Sequence, residues 1–200
     1  QFVQFEGLRY LVESDHRDWP RCAGTMPWQF NEPWACTSCT CSVDYYGSPK
    51  PAYYGVARVY RPLHVSLRYD HLAPALHQGW KAGVQLLLTQ PHASVRGRLC
   101  WSAVTLEGET IDEGHIPVEI HEPGAHGCGD LPDNLRRESP IVIALRLLDF
   151  EDRFLVGNEY LFGGNTSFIF DAVRNLPEAA LRASWTAEDR VEVENTSEVP

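Results

Sequence analysis

The stretch LHVSLRY, at residues 63–69, marks the point where the spacing of apolar residues changes from a helical period to a strand period. Apolar residues occupy every second position of this stretch, and such alternation is typical of a strand with one buried face. The alternation returns downstream, at residues 84–88, 99–103, 116–120 and 141–147. Further strand-forming residues surround Gly157-Asn158, and turn-forming residues separate the segments. The sequence therefore predicts a series of short strands.

Such a series of strands is typical of a β-sandwich. An immunoglobulin-like domain contains about 100 residues in two packed sheets, and the strand-rich region has this size. We therefore predict a mainly β protein, in which residues 63–165 form an immunoglobulin-like β-sandwich.

Residues 1–62, which precede the sandwich, have an α/β pattern instead. An apolar stripe at helical spacing predicts a helix, with most of the charged residues outside the stripe. The stripe consists of Phe2, Phe5, Leu8 and Val12, and the excluded charged residues include Arg9 and Glu13. Trp19-Pro20 then ends the predicted helix.

The second half of this region predicts a strand, a loop and another helix. Residues 25–30 resemble a short buried strand, and a polar loop rich in cysteine and tryptophan follows it. Pro49-Lys50-Pro51 opens a second helix, because proline is favoured in a first helical turn, and Arg61-Pro62 ends it.

The last 35 residues, 166–200, have the pattern of one more β-domain that is not complete. Val191 and Val193 alternate with Glu192 and Glu194, as in a strand. Too few residues follow to complete a sheet, so we expect a truncated domain here.

Composition excludes several classes of function. The chain has 17 basic and 27 acidic residues and a net charge of −10, which disfavours a nucleic-acid partner. It has no apolar run of the ~18 residues that a membrane helix needs. Because it starts at Gln1 without a methionine, we expect it to be excised from a longer protein. Acidic charge and the thiol pattern favour the cytoplasm, and a homo-oligomer remains open.

The cysteines Cys36, Cys39 and Cys41 form a compact C-x-x-C-x-C group. A structural zinc site needs four ligands, and this group supplies three. Distant residues would have to supply the fourth, and the candidates are Cys22, His115, His121 and His126. The alternative, reduced thiols without a metal, is the one we favour, so we predict no metal and no cofactor.

The residues with the clearest chemical pattern are Trp28, Asn31, Glu32 and Trp34. A tryptophan at a strand end followed by an amide suits a sugar pocket, because the indole covers an apolar sugar face while the amide bonds hydroxyl groups. The alternative is a buried tryptophan that caps a core. Both interpretations stay open at the level of the residues alone.

Glu32 also raises the possibility of a general acid. Glycoside hydrolysis needs a second carboxylate, and retention needs it about 5–5.5 Å away. The candidates are Glu6, Glu13 and Asp44, none of which ends another predicted strand. A complete (β/α)₈ barrel needs about 250 residues, whereas 31 residues precede Glu32. We therefore predict no catalytic residue in this chain.

Two segments, residues 28–34 and residues 44–54, resemble the end of the catalytic barrel in glycoside hydrolase family 2. They are similar to its eighth strand, the loop after it and its eighth helix, and residues 1–18 are similar to the preceding helix. Residues from Leu63 onward resemble the immunoglobulin-like domain that follows the barrel, and residues 147–162 resemble its closing strands in β-mannosidase-like members. The last residues resemble the start of one more sandwich.

The resemblance implies a retaining exo-β-glycosidase whose two catalytic glutamates lie upstream of Gln1. It implies that Trp28 floors the sugar pocket and that Asn31 matches a polar position just past it, with Glu32 and Trp34 on the same rim. The Asn-x-Lys pair of the glucuronidases is absent after Trp28, so glucuronides are disfavoured. The implied partner is a carbohydrate, bound through the parent enzyme, and this chain alone is expected to be inactive.

Two other functions stay open. The first is a stand-alone carbohydrate-binding or interaction module, in which aromatic side chains bind a glycan without catalysis. The second is a zinc-stabilised β-protein built on Cys36, Cys39 and Cys41.

Overall fold

The computed structural model describes residues 1–36, 39–165, 173–187 and 190–197. Two helices precede the strands, α1 (Phe2–Arg17) and α2 (Pro51–Val59). The strands are β1 (Leu63–Arg68), β2 (Gly83–Leu88), β3 (Val95–Thr105), β4 (Thr110–Ile120), β5 (Gly124–Asp130), β6 (Ile141–Leu148), β7 (Phe154–Phe162), β8 (Leu181–Ala187) and β9 (Arg190–Asn195). The protein is mainly β, as predicted.

Strands β1 to β7 form two antiparallel sheets that pack face to face. One sheet has the order β1-β2-β5 and the other the order β4-β3-β6-β7. Three and four strands are the numbers of an immunoglobulin-like sandwich. Alternate residues of the facing strands fill the core, among them Leu67, Leu86, Leu99, Ile143 and Leu145, which are fully buried. The predicted sandwich is therefore confirmed.

Strands β3 and β6 approach each other closely at Gly97. Gly97 lies in β3 opposite Val118 of β4. A β-carbon on Gly97 would lie far inside van der Waals contact with the backbone carbonyl of Leu148, at the end of β6. Only glycine fits at this position without moving a strand.

The strand predicted at residues 25–30 is wrong. This segment has no strand structure, and its side chains at Met26, Trp28 and Phe30 are exposed. A strand needs a hydrogen-bonded neighbour, and among the described residues only the stretch around Ser42 and Val43 offers one. The peptide bond between Trp28 and Gln29 is cis.

The buried face of α1 also differs from the predicted apolar stripe. The buried residues are Arg9, Val12 and Glu13, whereas Phe2 is 38% exposed. Two of the three buried residues are charged, and the helix turns this face towards the sandwich. The physical reason is that the sandwich offers hydrogen-bond partners to both charged side chains.

Glu13 is at the centre of these partners, in a group that we call the Glu13 node and that also contains Arg9, His64, Asn158 and Tyr160. The Glu13 carboxyl group lies 3.0 Å from His64 Nε2 and accepts hydrogen bonds from Asn158 Nδ2 at 2.8 Å and Tyr160 Oη at 2.9 Å. Arg9 donates to Asn158 Oδ1 at 3.2 Å.

Strand β1 lies beneath α1, so both of its faces are covered. His64 and Ser66, which the alternation places on the solvent side, are 2% and 6% exposed. The alternating pattern predicts the strand correctly and the exposure of its outer face wrongly, because a helix takes the place of solvent.

Strands β8 and β9 form a separate antiparallel hairpin whose side chains are all exposed. Trp185 is 73% exposed, and Leu181 and Val193 are exposed as well. The hairpin matches the strand pattern predicted near Val191, while residues 166–172, 188–189 and 198–200 lie outside the described residues. The division of the chain at residues 62 and 165 stays a prediction. None of the helices in the described part is long and apolar enough to cross a membrane.

Candidate functional site

The predicted site residues lie on the connection between α1 and α2. Trp28 and Trp34 are 79% and 67% exposed, and Asn31 is exposed between them. Trp28 therefore does not cap a core. Glu32 differs from the other three residues, because it is 5% exposed.

The backbone of this connection is fixed by hydrogen bonds between two of its parts. The Thr40 hydroxyl group donates to the Trp28 carbonyl at 2.7 Å. The amide of Val43 donates to the Phe30 carbonyl at 2.8 Å, and Asn31 forms an isolated parallel bridge with Val43. The exposed tryptophan at position 28 therefore has a backbone that is held from the neighbouring segment.

A tight turn at residues 44–48 brings the chain back to α2. Asp44 Oδ1 accepts hydrogen bonds from the amides of Tyr46 at 2.9 Å and Ser48 at 2.8 Å. Gly47 has a φ of +83°, which favours glycine. The amide of Lys50 then donates to the Ser42 carbonyl at 2.9 Å, which places Lys50 directly before α2.

Glu32 is bound by two donors from this returning segment. Its Oε1 atom accepts a hydrogen bond from Lys50 Nζ at 2.6 Å and one from Cys41 Sγ at 2.9 Å. The hydrogen bonds from Cys41 and Lys50 lower the pKa of Glu32 to about 2. A general acid has to carry a proton at working pH, so this carboxylate is unsuited to that role. We predicted Glu32 on the rim of a sugar pocket, and the structure turns it inward, where it holds the loop.

Cys39 completes a group that we call the Lys50 cluster and that consists of Glu32, Cys39, Cys41 and Lys50. One carboxylate oxygen of Glu32 and the two Sγ atoms lie within 4.8 Å of one another, a spacing that could hold a metal ion. Lys50 Nζ lies at the same place, 3.2 Å from Cys41 Sγ and 3.3 Å from the Cys39 carbonyl oxygen. The ammonium group thus supplies the positive charge that a metal would supply.

The residues considered as candidate zinc ligands are therefore brought together only in part. Cys39 and Cys41 meet, Cys36 is exposed, and Glu32 stands beside them. Of the distant histidines, His121 lies 3.3 Å from Glu119 and His126 contacts the Glu122 carbonyl. Within the described ranges, those histidines form no group of three metal ligands.

A cavity of about 440 Å³ borders the Lys50 cluster. Glu32, Cys39 and Lys50 line one side of it, and Gln4, Tyr45 and Tyr46 line much of the rest. The cavity gives solvent and small molecules access to Cys39, whereas Cys41 is completely buried.

Lys50 is the functional residue that the sequence interpretation missed. It stands between two prolines at the start of a helix, where the partial positive charge of the helix end disfavours a cation. A nearby carboxylate offsets this unfavourable interaction, and Glu32 is the partner that the structure provides. This local conflict was the signal that could have identified the ion pair.

We expect Glu32→Gln to remove one component of the acid sensitivity of the chain. The folded pKa of Glu32 is about 2, below its usual value of 4.5, so its ionised form stabilises the fold above pH 4.5. This contribution is lost as the pH falls from 4.5 towards 2. The difference in melting temperature between the parent and the variant should therefore shrink over that range, and a difference that is independent of pH would contradict the assignment.

No protein-family model matches the chain. β-Mannosidase B of Aspergillus flavus is 33% identical over 114 residues, which cover 56% of this chain and 12% of that protein. β-Mannosidase B of Aspergillus niger is 40% identical over 74 residues, which cover 36% of this chain and 9% of that protein. The matched part of the chain thus spans about a tenth of the length of these curated relatives.

Solved structures match over a longer part of the chain. An exo-chitosanase from Amycolatopsis orientalis superimposes with a TM-score of 0.73 at 18% identity, covering 98% of this chain and 25% of that one. A β-D-mannosidase from Dictyoglomus thermophilum gives 0.67 at 21% identity, covering 92% and 21%. The arrangement of helices and strands described above is therefore one that is known from larger proteins.

Proposed function

We infer that this chain, which matches the C-terminal region of family 2 glycoside hydrolases, acts as part of an exo-β-glycosidase that removes a terminal β-linked sugar. The observation that carries the proposal is the exposed indole of Trp28 on a backbone held by Thr40 and Val43. An exposed tryptophan in a fixed position presents an apolar face to a ligand at low cost in conformational entropy.

In this proposal the four predicted residues divide into two roles. Trp28 covers the apolar face of the sugar, and Asn31 and Trp34 contact it from the same wall. Glu32 is a positioning residue, because its carboxylate is bound to Lys50 and Cys41 and so joins the segment that bears Asn31 and Trp34 to the returning segment.

The reaction itself needs two carboxylates, which we propose to lie outside residues 1–200. The mechanism is then retaining, with one carboxylate as nucleophile and the other as acid and base. The sandwich supports the wall that bears Trp28, since α1 is bound to it through the Glu13 node. The 200-residue chain by itself is expected to have no hydrolytic activity.

A stand-alone carbohydrate-binding module is the second candidate. The observation in its favour is that Trp28 and Trp34 are both exposed in this chain by itself. They can therefore contact a glycan without catalytic carboxylates. Such a module would bind an oligosaccharide as the isolated chain, whereas one wall of an incomplete pocket would bind it weakly.

The two functions are distinguished by an aryl-glycoside panel that includes a β-mannoside and a β-glucosaminide. We expect the whole protein to hydrolyse one of these substrates and the 200-residue chain to hydrolyse none. Calorimetric titration of the chain with the matching oligosaccharide is the second measurement. Strong binding by the chain, combined with an inactive whole protein, would favour the binding module.

Replacing Trp28 tests the proposed pocket wall. We expect Trp28→Ala to lower kcat/KM of the whole protein about tenfold, which corresponds to about 1.4 kcal/mol of lost transition-state binding. Trp185→Ala is the matched control, since Trp185 is also an exposed tryptophan but lies in the β8–β9 hairpin. Equal effects of the two substitutions would show that Trp28 has no special contact with the substrate.

A further inference from the structure

Two cysteines of the Lys50 cluster are close together but differ in their access to solvent. The Sγ atoms of Cys39 and Cys41 lie within 4.8 Å of each other. Cys39 is half-buried and lines the 440 Å³ cavity, whereas Cys41 is completely buried beneath Glu32 and Lys50. A small oxidant that enters the cavity therefore reaches Cys39 first.

The surroundings of the two thiols also shift their pKa values in opposite directions, and the more accessible thiol has the lowered pKa. The backbone amide of Cys41 donates to Cys39 Sγ and lowers the pKa of that thiol, and Gln29 Nε2 lies 4.0 Å from the same sulfur. Burial raises the pKa of Cys41 to about 11, and its thiol donates to Glu32. Cys39 is therefore the thiol of the pair that loses its proton more readily, and Cys41 keeps its proton until it reacts.

We propose that Cys39 and Cys41 form a peroxide-sensitive dithiol, in which Cys39 is oxidised first and Cys41 resolves it to an intramolecular disulfide. A solvent-accessible thiol of lowered pKa beside a protected second thiol is the arrangement typical of redox-sensing sites.

The chemistry needs a peroxide, either hydrogen peroxide or an organic hydroperoxide, as the oxidant. The Cys39 thiolate attacks one peroxide oxygen, the O–O bond breaks, and a sulfenic acid and hydroxide or alkoxide form. The Cys41 sulfur, losing its proton, then attacks Cys39 Sγ, the S–O bond breaks, and water leaves. Two thiols lose two electrons, which reduce the peroxide to two molecules of water, or to water and an alcohol.

Closing the bridge changes the contacts of Glu32. A disulfide joins the two sulfur atoms at about 2.05 Å and removes the thiol proton of Cys41, so the hydrogen bond that Cys41 donates to Glu32 is lost. The closer approach of the two sulfur atoms is also expected to change the 3.2 Å contact between Lys50 Nζ and Cys41 Sγ. Because this cluster holds the loop that bears Trp34, oxidation is expected to alter the proposed sugar-binding wall. That consequence rests on the proposed function, whereas formation of the bridge does not.

The bridge is tested by mass spectrometry on the whole reduced protein after a low dose of hydrogen peroxide. Remaining thiols are alkylated, and cleavage after Trp34 and Tyr45 gives a peptide that contains Cys36, Cys39 and Cys41 alone among the six cysteines. We expect this peptide to carry one alkyl group, on Cys36, and to be about 2 Da lighter than the same peptide with Cys39 and Cys41 as free thiols. Dithiothreitol should reverse the change. Cys128, whose pKa is raised by burial, is the internal control and should stay alkylatable.

Variants assign the two roles. In Cys41→Ser, Cys39 should stop at a sulfenic acid that dimedone traps, and in Cys39→Ser, Cys41 should stay reduced at the same dose. A bridge between Cys36 and Cys39, a Lys50–Cys41 cross-link with added oxygen mass, or an unchanged peptide would each overturn the proposal. Hydrolytic activity is measured separately, so a bridge in a protein without glycosidase activity would refute the proposed function alone.

Discussion

Replacing Glu13 with alanine is expected to lower the free energy of unfolding of the chain by about 3–5 kcal/mol. Glu13 is 1% exposed and is the shared acceptor for Asn158 and Tyr160, with His64 Nε2 at 3.0 Å. Without the carboxyl group Tyr160 Oη loses its acceptor, whereas Asn158 Nδ2 loses one acceptor and keeps the Val65 carbonyl oxygen. A buried donor that is left unsatisfied costs about 1–3 kcal/mol. Because domains are stable by about 5–15 kcal/mol, urea titration followed by tryptophan fluorescence should show the loss clearly.

Two further variants separate the node from a general effect of losing a glutamate. Glu13→Gln keeps the shape and one acceptor oxygen, so we expect a smaller loss. Glu107→Ala removes an exposed glutamate in the turn after β3, and its effect should stay within about 0.5 kcal/mol. If Glu13→Ala and Glu107→Ala had the same midpoint, α1 would not be held by the Glu13 node.

Replacing Gly97 with alanine is the second large effect that we expect, a loss of about 3 kcal/mol. The added methyl group would overlap the backbone carbonyl of Leu148, which a change of rotamer cannot move aside. Strands β3 and β6 would have to separate at this point, and the ladder between Arg98 and Leu148 would weaken first. Thermal and urea unfolding of the variant measure the loss.

The matched control is expected to change the free energy of unfolding in the opposite direction. Gly7 lies in α1, and a β-carbon there would meet no atom within 4 Å. Gly7→Ala should therefore stabilise the chain by up to about 1 kcal/mol, because alanine has the higher helix propensity. A Gly97→Ala protein as stable as the parent would mean that β3 and β6 lie farther apart than described.

The sequence predicted the sandwich well, because apolar alternation in segments such as 141–147 depends on a core made by neighbouring strands of the same domain. It predicted the length of α1 correctly, but not which face of the helix is buried against the sandwich. The helix buries Arg9 and Glu13, and polar residues buried through partners distant in the sequence leave no periodic signal. Asn158 and Tyr160, which provide those partners, are about 150 residues away along the chain.

The sequence indicated Trp28, Asn31 and Trp34 as residues of a sugar pocket, with a buried Trp28 as the alternative. All three are exposed, and their contact with a sugar stays a prediction. The sequence did not indicate that Glu32 turns inward, because the returning segment that carries Cys41 and Lys50 folds back through turns rather than regular structure. The strand at residues 25–30 failed for a related reason, since apolar content alone does not provide a hydrogen-bonded neighbour.

The Glu13 node has a consequence for the position of α1 on the sandwich. Adjacent residues of a helix are about 100° apart around its axis. Rolling α1 by one residue would carry Glu13 away from His64, Asn158 and Tyr160 together, so that all three contacts with its carboxyl group would be lost at once. A purely apolar helix face tolerates small rotations, whereas the directional hydrogen bonds of Glu13 are formed at one rotation of the helix. The Glu13 carboxyl group therefore defines the rotation of α1 about its own axis, together with the hydrogen bonds of Arg9 and Tyr10 to the sandwich.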